Sequence, residues 1–129
     1  MIVVNFAHPL TADQRARIEA IGGTSVDRGV EVQAHFDHAA PFGPQARELV
    51  DQAGLDSAGW QHESLVLVAP SLSSIGCVVL AEVHGRCGYF PPLVRLAPRA
   101  GAVPPRFDVV EIIDLANQRQ EARGRRLAG

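Results

Sequence analysis

The chain has 129 residues, 47% of them hydrophobic, and a formal net charge of −2. This length suits one domain that buries a core without disulfide bonds, and the composition argues against a disordered chain. No apolar run approaches the roughly 18 residues that span a bilayer, and no basic segment precedes the first apolar run, so we expect neither a membrane anchor nor a signal peptide. The two cysteines, Cys77 and Cys87, are typical of a reducing compartment and predict a cytoplasmic protein.

The charge is distributed unevenly. Residues 1–114 contain eight arginines and thirteen acidic residues, a net charge of −5, whereas residues 115–129 contain four arginines and one acidic residue, a net charge of +3. The chain has no lysine. An acidic body argues against a general binder of duplex nucleic acid, so a few placed donors must hold any phosphate ligand. We therefore predict one domain over 1–114, followed by a C-terminal helix and basic tail over 115–129.

Strands and helices alternate along the predicted chain. Apolar runs bounded by turn residues predict strands at 2–6, 26–36, 64–70, 91–98 and 107–115. Amphipathic spacing and cap residues predict helices at 12–21, 45–54, 75–86 and 116–129, the last fraying into the basic tail. Strands that alternate with helices imply a mostly parallel sheet with helices on both faces. The predicted fold class is α/β, a small Rossmann-like or flavodoxin-like domain.

Two loops are candidates for a ligand site, because open α/β sheets bind ligands beyond the carboxyl ends of their strands. One loop follows the first strand, and the other leads from Pro70 into the serine segment (Ser71–Ser74). Each loop precedes a helix N-terminus, where free N–H groups and the helix dipole favour an anion. Taken singly, Thr11 and Ser74 are ordinary N-caps, and the prolines are ordinary loop residues. The candidate ligand-binding residues are Phe6, His8, Pro9, Leu10, Thr11, Ser71, Leu72, Ser73, Ser74, Gly76 and Arg95.

Motifs of other enzyme classes are missing from the sequence. There is no G-x-G-x-x-G after the first strand, no G-x-x-x-x-G-K-[ST] and no G-x-S-x-G, so we expect no dinucleotide cofactor, Walker loop or hydrolase triad. His35, Asp37 and His38 resemble a metal cluster only faintly, and His84 with Cys87 is more typical of helix-end packing than of zinc. We predict neither a metal nor a cofactor.

The segment "RCGYFPPLVR" gathers aromatic and arginine side chains. Arg86, Tyr89, Phe90 and Arg95 form a set suited to stacking on a base or on a second subunit. Core packing is the default interpretation for Phe90, whereas Tyr89 is open to either role.

The segments "NFAHPLTADQ", "LAEVHGRCGYFPPLVRL" and "PPRFDVVEI" resemble a known family. They are similar to the small accessory proteins of type III CRISPR systems in the Csx series, the family catalogued there as number fifteen. The similarity covers almost the whole chain, and H-G-R-x-G-Y-F-P-P is its most specific part. The opening F-x-H-x-L-T-x-x-Q also resembles that of a related Csx ring-nuclease family.

The resemblance implies a CRISPR-associated Rossmann-like fold that binds a cyclic oligoadenylate second messenger, with cyclic tetra-adenylate as the expected ring. Relatives either cut this ring or sequester it. Because the ring has two-fold symmetry, the resemblance also implies a homodimer, or a higher homo-oligomer that the ligand bridges.

Three functions remain open from the sequence. The first is a sponge that binds the messenger and damps effector activation in antiviral defence. The second is metal-independent cleavage into linear products ending in a 2′,3′-cyclic phosphate, with His8 as the candidate catalytic residue, since histidine side chains can exchange protons near neutral pH. The third is a scaffold that binds a protein through Tyr89 and Phe90.

Overall fold

The computed structural model describes residues 1–128 and the side chains of residues 1–126. Its strands are β1 (Ile2–Asn5), β2 (Arg28–Glu31), β3 (Leu65–Val68), β4 (Leu93–Pro98) and β5 (Phe107–Ile113). They form one sheet in the order β2-β1-β3-β4-β5, in which β5 alone runs antiparallel to its neighbour. The helices are α1 (Ala12–Gly22), α2 (Phe42–Asp51), α3 (Ser57–His62), α4 (Ser73–Cys87) and α5 (Leu115–Ala128). The predicted α/β, Rossmann-like fold is confirmed.

Helices cover both faces of the sheet. One face packs against α2, α3 and α4, whose buried residues there include Trp60 and Val83. The other face packs against α1 through Ile18. Side chains alternate along a strand, so Val3 and Val4 of β1 point to opposite faces, and both are buried. The continuous apolar runs at β1 and β3 are thus those of strands buried on both faces, as the sequence predicts.

Helix α3 and strand β2 differ most from the sequence-based prediction, and α2 begins at Phe42, three residues before its predicted start. Helix α3 is missing from the sequence-based prediction, because Trp60 is the one large apolar side chain among its six residues. A helix this short shows no amphipathic spacing, so its N-cap, Asp56, does not reveal it. Strand β2 ends at Glu31 and does not continue to residue 36. The apolar alternation beyond it belongs to an irregular segment, where Phe36 packs edge-to-face on Phe42 at the start of α2, with ring centroids 5.2 Å apart.

Helix α5 stands apart from the rest of the molecule. It is helical to Ala128, so the predicted fraying over the arginines is not observed. Leu115 is half-buried, and residues 116–126 are all exposed. No helix in the described part of the chain is long and apolar enough to cross a membrane.

Candidate functional site

The two loops singled out in the sequence begin side by side. β1 and β3 are parallel neighbours that pair Asn5 with Val68, and the Phe6 N–H donates to the Val68 carbonyl at 2.9 Å. From β1 the chain moves outward to β2, and from β3 it moves in the opposite direction to β4. Such a reversal of strand order opens a crevice at the carboxyl ends of the strands, where α/β proteins bind ligands. The candidate site is therefore the crevice between the β1 loop (Phe6–Thr11) and the serine segment.

A buried asparagine holds the β1 loop in shape. The Asn5 side chain is fully buried, and its Nδ2 donates to the His8 carbonyl and to Oε2 of Glu31, each at 2.7 Å. Its Oδ1 accepts from the Ala7 N–H at 2.9 Å. All polar atoms of this amide are therefore used inside the fold, which fixes the turn that carries His8. Sequence reasoning missed Asn5, because an asparagine that ends an apolar strand gives no local indication of partners 26 residues away.

The residues of the β1 loop play different parts. His8 and Pro9 are exposed, so their side chains face solvent at the crevice. Phe6 is buried in the core cluster under α4, and Leu10 is half-buried against the α1 cluster. These two apolar residues anchor the loop, and the surface available to a ligand comes from His8 and Pro9.

Thr11 closes the N-terminus of α1. Its Oγ1 accepts from the Gln14 N–H at 3.1 Å, and Oε1 of Gln14 accepts from the Thr11 N–H at 2.9 Å. This reciprocal capping box satisfies two of the free backbone donors of the helix. The prediction that Thr11 is an N-cap is confirmed, and its hydroxyl is already engaged within the chain.

The N-terminus of α4 is open by comparison. Its N-cap is Leu72, which has no side-chain hydrogen-bond acceptor, so the interpretation of Ser74 as the N-cap is wrong. The first hydrogen bond within the helix runs from the Gly76 N–H to the Leu72 carbonyl. The N–H groups that precede it lack helical partners. Because Ser71–Ser74 are all exposed, backbone donors and serine hydroxyls lie together at the crevice.

Gly76 and Arg95 lie beside this helix end. A Cβ at Gly76 would meet the Pro70 carbonyl oxygen at 3.5 Å, so this face of the glycine packs on the chain's own loop. Arg95 follows Leu93, which pairs with Leu67, and therefore lies level with the chain just beyond the end of β3. Its Nε forms an ion pair with Oε1 of Glu111 at 3.4 Å, and both side chains are about half exposed. Part of its charge is thus already balanced within the sheet.

A second ion pair near this edge belongs to the connection between β4 and β5. The Arg99 guanidinium donates to both carboxylate oxygens of Asp108, at 2.7 and 3.0 Å. These hydrogen bonds hold the pKa of Asp108 below its usual value. The bidentate pair fixes the start of β5.

The other candidate residues lie elsewhere. Asp37 accepts from the Ala39 N–H within a turn, and the described residues contain no group of three or more His, Cys, Asp or Glu side chains that could hold a metal ion. His84 packs on Phe90 with ring centroids 4.2 Å apart, which confirms helix-end packing. Tyr89 donates from its hydroxyl to the Glu63 carbonyl at 3.4 Å, and partial burial raises its pKa. These aromatic residues follow the C-terminus of α4, at the opposite edge of the sheet from the crevice.

No protein-family model, curated protein or solved structure matches this chain. The site offers neutral hydrogen-bond donors on the β3 side and an exposed imidazole on the β1 loop, and a carboxylate at the end of β2 lies on the other side of that loop. Donors of this kind suit an anion whose charge is spread over several oxygens.

Proposed function

We propose that the chain binds a cyclic oligoadenylate, with cyclic tetra-adenylate as the expected ring, and acts as a sponge for this messenger in type III CRISPR antiviral signalling. The observation that carries the proposal is the open N-terminus of α4 at the strand-order reversal, beside the β1 loop. Its free N–H groups and the serine hydroxyls are suited to phosphodiester oxygens. The resemblance of the sequence to the Csx family supports the same ligand class.

A site built on neutral donors accounts for how an acidic, lysine-free chain binds a polyanion. The body of the chain repels phosphates at long range, since residues 1–114 carry a net charge of −5. At short range, the backbone N–H groups of a helix N-terminus bind a phosphate without a basic side chain. We expect the affinity to depend only weakly on salt concentration, because few ion pairs form on binding.

The geometry of the ligand favours more than one subunit. Each chain offers one serine segment, whereas a ring of four adenylates presents four phosphates around a two-fold axis. Two copies related by that axis would present the same segment from both sides. We therefore propose a homodimer, or a higher homo-oligomer bridged by the ligand.

Binding is favoured over cleavage because the two loops hold one titratable side chain between them, His8. Cleavage by a 2′-hydroxyl needs a base, an acid and a donor set aligned with the scissile phosphate. Ring cleavage is the second candidate function, since the imidazole of His8 is exposed at the crevice.

The test is a titration of radiolabelled cyclic tetra-adenylate with the protein in EDTA, followed by native and denaturing gels over one hour. A sponge shifts the ring on the native gel and leaves it intact on the denaturing gel. Linear product ending in a 2′,3′-cyclic phosphate, lost in His8→Ala, establishes the enzyme instead. Absence of both shift and product overturns the proposed ligand.

A variant pair locates the site. Replacing Ser71, Ser73 and Ser74 together by alanine removes three hydroxyl donors, and we expect the affinity to fall about 10-fold or more. Ser25→Ala, at an exposed serine beyond the C-terminus of α1, is the matched control and leaves the affinity unchanged. Equal affinity of the triple variant and the control would place the ligand elsewhere.

A further inference from the structure

The carboxylate of Glu31 lies at the same edge of the sheet, on the other side of the β1 loop from the serine segment, and is not explained by phosphate binding. Glu31 is the last residue of β2 and pairs with Asn5 of β1, so it lies at the carboxyl edge of the sheet. Its side chain is exposed, yet Oε2 is fixed by the Nδ2 of the fully buried Asn5 at 2.7 Å. No hydrogen bond to its Oε1 is present among the residues that the structure describes. One oxygen is thus anchored and the other is free to accept.

We propose that Glu31 accepts a hydrogen bond from a ribose 2′-hydroxyl of the bound nucleotide and so selects ribonucleotide over deoxyribonucleotide rings. This inference rests on the proposed function and extends it by naming what recognises the sugar. An ionised carboxylate only accepts hydrogen bonds, and a ribose hydroxyl is a donor that a deoxyribose lacks. A carboxylate at the end of the strand next to β1 performs this task in other nucleotide-binding α/β folds.

The order of the strands sets the orientation of the nucleotide. Glu31 ends β2, the β1 loop lies next, and the serine segment follows β3. Adjacent strands are about 4.8 Å apart, so Glu31 and the end of β3 are two strand spacings apart, on the order of 10 Å along the sheet edge. The Glu31 side chain shares the α1 face of the sheet with Asn5, whereas α4 packs on the opposite face. A ligand of several linked nucleotides that crosses the carboxyl edge can therefore contact both. The negative charge of Glu31 repels phosphate from the β2 side, which leaves the donors of the serine segment for phosphate and Glu31 for the sugar.

A purely structural role for Glu31 makes a different prediction. In that role the carboxylate only satisfies the amide of Asn5 and thereby supports the loop that carries His8. Its loss would then weaken binding of every ligand at the crevice to the same extent. Discrimination between ribose and deoxyribose separates the two roles.

The experiment compares cyclic tetra-adenylate with its all-2′-deoxy analogue on the wild-type chain and on Glu31→Gln. The glutamine keeps an oxygen that can accept from Asn5, while its NH₂ group replaces the free acceptor. We expect the wild type to bind the ribose ring about 10-fold to 100-fold more tightly than the deoxy ring, as for a hydrogen bond to a charged acceptor. In Glu31→Gln the ratio should fall to within about 3-fold, with thermal stability unchanged.

Glu63→Gln is the matched control, since it removes one exposed carboxylate at the end of α3, and it should leave the ratio as in the wild type. Equal binding of both rings by the wild type, or an equal loss for both rings in Glu31→Gln, overturns the assignment of Glu31 but leaves the proposed function standing. Failure of the wild type to bind either ring overturns the proposed function and this assignment together.

Discussion

The two ends of α4 differ in how many of their polar groups form hydrogen bonds or ion pairs within the chain. At the N-terminus, Leu72 supplies no side-chain cap, and the serine segment is exposed. At the C-terminus, Gly88 adopts the left-handed conformation with φ of 81° and donates its N–H to the His84 carbonyl. Arg86 binds Asp51 of α2 at 2.8 Å and Glu82 at 2.9 Å. One end is left open, and the other is tied to its surroundings.

This difference changes the interpretation of the most specific sequence motif. The segment H-G-R-x-G-Y-F-P-P spans the closed end, where Arg86 also donates to the Arg47 carbonyl and Pro91 is fully buried. Its distinctive residues are therefore explained by packing of α4 on α2 and α3. The open end has the common sequence S-L-S-S, which is not distinctive. It is a candidate ligand site because it lies at the strand-order reversal. Distinctive sequence and candidate function thus lie at opposite edges of the sheet.

The largest expected contrast is in cysteine reactivity along α4. Burial raises the pKa of Cys87, the last residue of the helix, to about 11, whereas Cys77 in the N-terminal half is exposed. At pH 8 about 0.1% of Cys87 is thiolate, so we expect it to react with iodoacetamide on the order of 100-fold more slowly than Cys77. Mass spectrometry of the labelled peptides measures both rates, and labelling of Cys87 should increase as the pH approaches 11. Equal rates at pH 8 would show that the closed end opens readily.

A negative charge at the open end should separate binding from stability. Ser74→Glu places a carboxylate in the first turn of α4. There its interaction with the helix dipole stabilises the helix by about 0.3–1 kcal/mol, but the same charge repels a phosphate. We expect affinity for cyclic tetra-adenylate to fall about 10-fold to 100-fold while the unfolding free energy is unchanged or slightly higher. Filter binding and urea denaturation measure the two quantities.

Ala116→Glu is the control for that variant. It adds the same charge to the first turn of α5, which follows β5 at the opposite edge of the sheet, and should leave affinity unchanged. A matching loss of affinity in both variants would attribute the effect to net charge and not to the open helix end.

Removing the guanidinium of Arg86 should weaken the closed end. Arg86→Met breaks the contacts with Asp51 and Glu82 and leaves both carboxylates without this partner. We expect the unfolding free energy to fall by about 1–2 kcal/mol, less than for a fully buried pair because both carboxylates keep contact with water. Urea denaturation measures the change, with Arg125→Met on the exposed face of α5 as control. An unchanged midpoint would show that these ion pairs contribute nothing to stability.

The same substitution at two glycines of α4 should have opposite effects. Gly88 has a positive φ, so Gly88→Ala costs about 1 kcal/mol. Gly85 lies inside the helix with open space around a Cβ, so Gly85→Ala should raise the unfolding free energy by about 0.5–1 kcal/mol. Thermal unfolding of both variants checks the signs. A stabilising Gly88→Ala would contradict the left-handed cap.

The sequence predicts those helix ends that are determined by residues close together along the chain. The Thr11 cap of α1 and the end of α4 at Cys87 depend on residues within a few positions of each other; the sequence predicts the first at Thr11 and the second to within one residue. Asn5 and Leu72 could not be found in this way. The partners of Asn5 include Glu31, which only the pairing of β1 with β2 brings near. Serine is the preferred N-cap residue, but the N-cap of α4 is Leu72. The helix therefore begins at Ser73, two residues before the predicted start at residue 75.

The smallest expected effect concerns α5, which is predicted to be dispensable for the fold. Deleting residues 115–129 removes a helix whose residues 116–126 are all exposed, so little apolar area is lost. We expect the unfolding free energy to change by less than about 0.5 kcal/mol, which corresponds to a melting temperature within about 3 °C of the full chain. Differential scanning calorimetry of both forms makes the comparison. A larger drop would mean that Leu115 and the start of α5 support the end of β5, and the boundary of the domain would then lie beyond residue 114.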